Sequence, residues 1–314
     1  MNIVGFPDDA AAEKWFVRKR WSKNPVCPHC GCDNVQSGAK HKSMPFRCRD
    51  KDCQRRFSVK TGTIMEGSKI GYQDWVIATY LMTTSLKSVS NMKLHRELGI
   101  TQKSAWFLAH RLRAALETEE SVFSGPVEAD EAYFGGKRKN MSNAKRKELK
   151  EEGAGRGTEG KVAVVGIKDR ETNKVKAKVI QDTTKETLQG FVMNNTDNDA
   201  QVYTDDALSY QGIPRKHDTV KHSVSEYVKG QAHTNGIESF WAVLKRAHMG
   251  TFHRLSPKHL QRYVNEFSGR HNIRRLDTKD QISYIAFGMQ GKRLRYTDLI
   301  QDNGLPSNAR TPSD

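Results

Sequence analysis

The chain has 314 residues, enough for about two domains of ordinary size, and it is strongly basic, with 52 Lys and Arg against 36 Asp and Glu. The formal net charge of +16 indicates a polyanionic partner, most simply nucleic acid, with a membrane surface as the weaker alternative. No apolar run approaches the roughly 18 residues that a membrane-spanning helix needs, and the N-terminus lacks a signal-peptide pattern. We therefore expect a soluble, cytoplasmic protein with no membrane partner.

The first segment, residues 1–62, contains all five cysteines and is predicted to bind zinc. Four of them form two short-spaced pairs: Cys27, Cys30, Cys48 and Cys53. Two such pairs supply the four thiolates of a tetrahedral structural zinc site, which can order a segment too short and polar to fold around an apolar core. Cys32 is left over and is expected to be a bystander, while His29 and, more weakly, His41 remain competing ligands.

Residues 63–120 have a helical pattern with the form of a helix-turn-helix. A helix over 89–98 is followed by the turn Gly99-Ile100-Thr101 and by a second helix over 102–116, with glycine in the turn and threonine as the cap. A helical hairpin that binds nothing is the alternative. We expect four side chains of the second helix to be exposed and available to DNA: Gln102, Lys103, Arg111 and Arg113.

After the turn at Ser124-Gly125-Pro126 the pattern predicts a mixed α/β domain over residues 125–280. Residues 137–160 are rich in Lys, Glu, Gly and Asn and nearly free of large apolar residues, so we expect a mobile basic loop there. Residues 235–275 are predicted to be helical, and residues 281–314 to form a C-terminal tail. Strands are predicted at residues 127–134, 161–167, 175–180 and 201–204.

Three acidic positions of the α/β domain stand out because of where they lie. Asp130 falls inside a predicted strand, where a charge is costly unless something binds it, and Asp205 ends a later strand. Glu238 opens a helix, and Lys245 follows it by seven residues, on the same helix face after two turns. If folding brings the carboxylates together, they form an oxygen site for Mg²⁺ or Mn²⁺ suited to phosphoryl transfer. Solvated carboxylates that bind nothing are the alternative.

The order of these features resembles the bacterial insertion-sequence transposases of the zinc-ribbon ISXO-like group. The resemblance covers about residues 15–275, and its most specific part is the last block, which begins at His233. It implies a ribonuclease-H-like DDE catalytic domain preceded by a zinc ribbon and a small helix-turn-helix cluster. It is carried by the cysteine segment, the helix-turn-helix pattern, residues 127–136, Tyr203-Thr204-Asp205, residues 233–241 with Lys245, residues 250–253 and residues 258–267.

The resemblance also implies roles for individual residues of the DDE domain. Three of them would ligate Mg²⁺ or Mn²⁺ and the fourth would position DNA: Asp130, Asp205, Glu238 and Lys245. Some relatives use an asparagine in the last block, so Asn235 is an alternative to Glu238 or a support for it. We prefer Glu238 because a carboxylate is the harder ligand. Glu131 and Asp206 are the neighbouring alternatives to the first two ligands.

The resemblance implies a DNA transposase that binds the terminal repeats of an insertion sequence, cleaves strands there and joins them to target DNA, in association with the bacterial nucleoid. Because two element ends must be held together, we expect a homo-oligomer on DNA. No G-x-x-x-x-G-K-[ST] loop is present, so no nucleotide cofactor is expected. The alternatives are a non-catalytic, sequence-specific DNA-binding regulator derived from a transposase, and a nuclease that cuts but cannot join.

Overall fold

The computed structural model describes six ranges of the chain: residues 5–41, 43–117, 122–136, 142–151, 160–220 and 233–307. The chain divides into two compact units. The first unit consists of Met1–Glu117 and Ile273–Gln301, and the second of Thr118–Asn272 and Asp302–Asp314. None of the described helices is both long and apolar enough to span a bilayer.

The first unit begins with helix α1 (Asp9–Arg20), which is followed by three short antiparallel strands: β1 (Val35–Gln36), β2 (Phe46–Cys48) and β3 (Arg56–Phe57). Strand register pairs Phe46 with Phe57, and their rings stack with centroids 5.5 Å apart. The Trp21 ring packs edge-on against Phe46. Strands this short are not stable alone, so they depend on a cross-link such as a metal.

Three helices follow: α2 (Tyr72–Thr84), α3 (Asn91–Leu98) and α4 (Gln102–Ala115). Helix α3 is capped by Gly99, the residue after its end, whose φ of +63° is a left-handed conformation that glycine adopts without strain. Helix α4 begins after Thr101, whose hydroxyl accepts the backbone N–H of Ser104. The two helices and their turn lie where the sequence placed them, whereas their contact with DNA stays a prediction.

Two arginines of α4 that we expected to face DNA are buried, so that expectation was wrong. Arg111 is 7% exposed and Arg113 is 0% exposed, because the second half of α4 lies in the apolar core of the first unit. Arg111 donates through Nε to the carbonyl of Leu294 at 3.2 Å and through Nη2 to the carbonyl of Glu66 at 3.0 Å. Gln102 and Lys103, at the start of the helix, are exposed as expected.

The segment expected as a tail, residues 281–314, is folded as far as residue 300, which corrects that prediction. Its apolar residues recur at helical spacing and enter the core of the first unit: Ile282, Ile285, Ala286, Met289, Leu294 and Leu299. Three of them belong to helix α9 (Thr278–Gly288), Leu299 belongs to helix α10 (Tyr296–Ile300), and Met289 and Leu294 lie between the two helices. Helix α9 packs against α1, α2 and α4. Since α1 also packs against α2, the expected boundary at residue 62 does not separate compact units.

The second unit is built on a five-stranded sheet with strand order β6-β5-β4-β7-β8. Its elements are β4 (Val127–Phe134), α5 (Asn143–Glu151), β5 (Val162–Asp169), β6 (Val175–Ile180), α6 (Lys185–Asn195), β7 (Gln201–Asp205), β8 (Lys216–Val220), α7 (Asn235–Ala247) and α8 (Pro257–Ile273). Strands β4, β5 and β6 are antiparallel, whereas β7 and β8 run parallel to β4. The four predicted strands are confirmed. Strand β8 was missed because it has a single apolar residue, Val220.

The expected mobile loop over residues 137–160 contains helix α5, so a loop was the wrong description of Asn143–Glu151. Apart from one asparagine, this stretch consists of good helix formers, and Lys147 and Glu151 form an i,i+4 ion pair at 3.8 Å. Residues 137–141 and 152–159 lie outside the described residues, and the predicted mobility stays a prediction.

Each face of the sheet is covered by helices, and this arrangement determines where the β4 side chains go. Ala132 and Phe134 pack with α7 and α8 on one face, whereas Val127 and Ala129 pack with α6 on the other. Successive side chains of a strand point to opposite faces. Asp130 therefore lies on the α7 face.

Candidate functional site

A four-sulfur cluster lies in the first unit. The Sγ atoms of the four predicted ligands all lie within 4.8 Å of one another: Cys27, Cys30, Cys48 and Cys53. The Sγ–Sγ distance is 3.8 Å between Cys27 and Cys53 and 3.6 Å between Cys30 and Cys48. Sulfurs about 2.3 Å from a tetrahedral zinc ion lie about 3.8 Å from one another, so this geometry fits zinc.

The competing ligands have other positions. Cys32 packs against the small apolar cluster of the three strands and is not part of the sulfur cluster. His41 Nδ1 accepts the backbone N–H groups of Ser43 and Met44, at 3.3 and 3.1 Å. His29 is not part of the sulfur cluster either. The geometry therefore favours the four cysteines as the metal-binding set.

Strand register places the two predicted strand carboxylates on the same face of the sheet. Strands β4 and β7 pair in parallel at Val127–Val202 and Glu128–Tyr203, and Asp130 and Asp205 each follow this pairing by two residues. Directly paired residues of neighbouring strands project from the same face. Both carboxylates therefore lie on the α7 face, with Asp205 as the last residue of β7 and Asp130 in the middle of β4.

Helix α7, which carries Glu238, packs on this face of the sheet. Its apolar side, with Ile237 and Trp241, is buried against the sheet, whereas Glu238 and Lys245 are exposed. Gly166 of β5 is opposite Asp130, and a Cβ there would lie 2.7 Å from the Trp241 ring. The helix can approach the sheet this closely because residue 166 has no side chain.

Asp130 is partly buried near other carboxylates. Burial raises the pKa of Asp130 to about 7, with additional repulsion from the carboxylates of Glu131, Asp205 and Glu238. Negative charge is thus concentrated in a partly buried position, which a divalent cation would neutralise. A set of three carboxylates is the oxygen-rich chemistry that Mg²⁺ and Mn²⁺ prefer.

The carboxylates are spread more widely than the sulfurs. Among the described residues, Asp130, Asp205 and Glu238 do not form a second group whose ligand atoms all lie within 4.8 Å of one another. The Thr234 hydroxyl donates to Glu238 Oε1 at 2.8 Å, and Asp205 Oδ1 accepts the backbone N–H of Ala207 at 3.2 Å. Groups of their own segments thus hold the Glu238 and Asp205 carboxylates in place.

The neighbouring alternatives are placed differently. Glu131 points to the α6 face, where its Oε2 accepts the Tyr210 hydroxyl at 3.1 Å, and burial together with Asp205 raises its pKa. Asp206 and Asn235 are exposed, and Asn235 is the first residue of α7. This arrangement favours Asp130 and Asp205 over their sequence neighbours.

Sequence reasoning assigned no role to Glu128, which the structure connects to α7. Its side chain is 2% exposed, and it accepts hydrogen bonds from Arg170 and from the backbone of Ile237. A signal was present in the sequence, because Glu128 precedes Asp130 by two residues and so shares its face of the strand. A buried charge there requires a partner, but local pattern does not identify it.

Comparison with known proteins gives two family matches. Residues 122–272 match the ISXO2-like transposase domain, and residues 7–56 match a transposase zinc-ribbon domain. Over 294 residues the chain is 26% identical to an uncharacterized protein in the transposable element ISH50 of Halobacterium salinarum, and the alignment covers 91% of this chain and 98% of that protein.

Among solved structures, the chain is similar to a chain in the cryo-electron microscopy structure of the simian T-cell lymphotropic virus intasome in complex with PP2A regulatory subunit B56 gamma. The sequence identity is 12% and the TM-score is 0.30. The match covers 62% of this chain and 65%, less than two thirds, of that chain. A TM-score this low does not establish a shared fold.

Proposed function

This chain belongs to the ISXO2-like transposase family, and from that premise we propose that it is a metal-dependent transposase that cleaves and joins DNA at the terminal repeats of an insertion sequence. The observation that supports the proposal is the placement of Asp130 and Asp205 on the sheet face against which α7 packs, with Glu238 in the first turn of α7; the Asp130 pKa is raised by burial and by Glu131, Asp205 and Glu238. The α/β domain has a ribonuclease-H-like fold in this proposal. A mixed sheet with three antiparallel strands and two further parallel ones supports it.

The proposed chemistry is two successive transfers at phosphorus. In cleavage, a water oxygen forms a bond to phosphorus while the bond to the 3′-oxygen breaks, which leaves a 3′-hydroxyl and a 5′-phosphate. In joining, that hydroxyl loses its proton and attacks a target phosphodiester, whose own 3′-oxygen leaves and takes up a proton. Mg²⁺ or Mn²⁺, when bound, supplies activation of the attacking oxygen and stabilisation of the leaving oxygen.

The residues of this chain have separate tasks. Asp130, Asp205 and Glu238 would hold the divalent cations through their carboxylate oxygens. Thr234 holds the Glu238 carboxylate by donating a hydrogen bond to it. Lys245 is exposed seven residues further along α7, where it binds a DNA phosphate.

The remaining parts of the proposal concern the partners. The zinc ribbon and the α3–α4 pair bind the element ends, where Gln102 and Lys103 are the exposed side chains at the start of α4. Two ends are held together by a homo-oligomer on DNA. The net charge of +16 supports a large electrostatic contribution to this binding, which falls with added salt.

The test is incubation of the protein with a terminal-repeat duplex and Mg²⁺ or Mn²⁺, with cleaved and joined products resolved on a denaturing gel. Asp130→Asn, Asp205→Asn and Glu238→Gln each remove a charged ligand while keeping its volume, so we expect each to lower both products about 100-fold or more. The matched controls are Glu131→Gln and Asp206→Asn, which change the neighbouring acid and are expected to stay within about fivefold of the unaltered protein.

The outcomes separate the candidate functions. Undiminished cleavage by Asp130→Asn or Glu238→Gln refutes the assigned roles. Specific binding of the duplex by the unaltered protein without any metal-dependent cleavage indicates a DNA-binding regulator instead. Cleavage without joining indicates a nuclease.

A further inference from the structure

Glu128 of β4 is a buried carboxylate whose oxygens are already engaged by protein groups. Its Oε1 accepts a hydrogen bond from Arg170 Nε at 2.9 Å and lies 3.2 Å from His233 Nδ1. Its Oε2 accepts the backbone N–H of Ile237 at 2.9 Å. With donors on both oxygens, Glu128 is not placed as a metal ligand.

Arg170 completes a connection between the sheet and the start of α7. Its Nη2 donates to the carbonyl of His233, two residues before α7, at 2.6 Å. Its guanidinium lies 4.0 Å from the centroid of the Tyr203 ring, on the β7 residue that is paired with Glu128. One planar cation therefore bridges the Glu128 carboxylate and the chain that leads into the helix.

The N-terminus of α7 is capped from another part of the chain. The first turn of a helix has backbone N–H groups without partners inside the helix, and a side chain of the N-cap residue commonly accepts one of them. Thr234 is the N-cap residue here, but its hydroxyl donates to Glu238 instead of capping the helix. Glu128, 109 residues earlier, accepts the N–H of Ile237 in its place.

This exchange of partners links Glu128 to the proposed metal ligand. Glu128 holds the first turn through the Ile237 N–H, and the Thr234 hydroxyl donates to the Glu238 carboxylate from the same turn, so the place of Glu238 depends on that turn. The fit leaves no spare room, since a Cβ at Gly236 would lie 2.6 Å from Glu128 Oε2 and 2.6 Å from Lys168 Nζ. A displaced first turn would therefore move Glu238.

We propose that Glu128 is a positioning residue, which with Arg170 fixes the first turn of α7 and thereby the place of Glu238 beside Asp130 and Asp205. This inference rests on the proposed function. Groups that orient metal ligands affect metal affinity without touching the metal, and their loss costs about 10–100-fold. A purely structural ion pair would lower stability and leave the metal requirement unchanged.

The test is the Mn²⁺ dependence of terminal-repeat cleavage by the full chain carrying Glu128→Gln. Glutamine keeps the volume but loses the charge that holds Arg170, so we expect the Mn²⁺ concentration for half-maximal cleavage to rise about tenfold or more. The matched control is Glu266→Gln. Glu266 is 0% exposed and pairs with Arg270 at 3.6 Å within α8, so its loss breaks a buried ion pair in the same unit and should leave the Mn²⁺ requirement unchanged.

If Glu128→Gln fails to fold, a second variant and a second measurement still test the inference. Arg170→Lys keeps the charge but cannot bridge Glu128 and the His233 carbonyl as a planar fork, so it should also raise the Mn²⁺ requirement. Hydrogen exchange at the amides of Ile237 and Glu238 should accelerate about tenfold in either variant, relative to α8, because the first turn opens more often.

Two results overturn the inference in different ways. If the unaltered protein cleaves and both variants keep its Mn²⁺ requirement and its exchange rates, Glu128 does not position Glu238, and the proposed function stands. If the unaltered protein does not cleave at any Mn²⁺ concentration, the proposed function fails, and the positioning role fails with it.

Discussion

The surroundings of three neighbouring acidic residues of β4 give each of them a different chemical character. Glu128 is paired with Arg170, whereas Asp130 lies among other carboxylates and has a pKa raised to about 7. Glu131 points to the opposite face and accepts the Tyr210 hydroxyl. Residue type is the same or nearly so at the three positions, so the chemistry of each follows from its face of the strand and its partners.

The cysteine cluster gives a prediction at the same scale. We expect about one zinc ion per chain in the unaltered protein and a loss of most of this zinc in Cys30→Ser, because a hydroxyl is a poor substitute for a thiolate ligand. Elemental analysis of the purified protein measures this. Cys32→Ser is the matched control and should keep its zinc, since Cys32 lies outside the sulfur cluster. Zinc loss from the Cys32 variant alone would show that a different ligand set is used.

At the scale of elements, helix α7 depends on a close fit against the sheet. Two glycines permit it: Gly166 of β5 lies under Trp241, and Gly236 in the first turn of α7 lies against Glu128 and Lys168. Alanine is a better helix former than glycine, so glycine in a helix normally costs stability. Its presence at residue 236 reflects packing rather than helix propensity.

We therefore expect Gly236→Ala to lower both the free energy of unfolding and cleavage activity, because its Cβ would lie 2.6 Å from two charged side-chain atoms. Denaturant unfolding and the cleavage assay measure the two effects. Gly190→Ala in α6 is the matched control, since a Cβ there meets nothing within 4 Å, and it should stabilise the protein by about 0.5–1 kcal/mol. A Gly236 variant that is stabilised to the same extent would contradict the close fit.

At the scale of the whole molecule, the first unit is assembled from two segments that are separated along the chain by the second unit. Helices α9 and α10 supply core residues to the unit that begins with α1, although more than 100 residues lie between them. The match to the ISXO2-like transposase domain ends at residue 272, just before these helices. The part of the chain that contains the zinc ribbon thus requires the C-terminal helices in order to complete its core.

A chain that ends at Asp277 should lose much of the stability of the first unit, because each fully buried aliphatic side chain contributes on the order of 1.5–3 kcal/mol. Hydrogen exchange at the amides of α2 and α4 should be faster in this truncation than in the full chain. A chain that ends at Pro306 retains α9 and α10 and should exchange like the full chain. Equal protection of α2 and α4 in both truncations would contradict this assembly.

Local pattern was sufficient for much of the fold. It predicted strand bounds at Val127–Phe134 and Val175–Ile180 and the turn between α3 and α4, because side-chain periodicity, caps and glycine conformations act over a few residues. The four cysteines followed from spacing in the same way. The carboxylate roles came from the resemblance to a family, and they remain a proposal, supported by the position of Asp130 near the carboxylates of Asp205 and Glu238.

The remaining features of the fold and of the candidate site could not be predicted from local pattern, because they depend on contacts between segments far apart in the chain. These contacts join Arg111 to the Leu294 carbonyl, pack α9 into the core of the first unit and place Glu128 against the start of α7. Whether a charged side chain is a ligand, an anchor or a solvated surface group depends on the groups that surround it after folding. Strand register and helix docking set those surroundings through residues far apart in the chain, and the periodicity of a single segment carries no information about them.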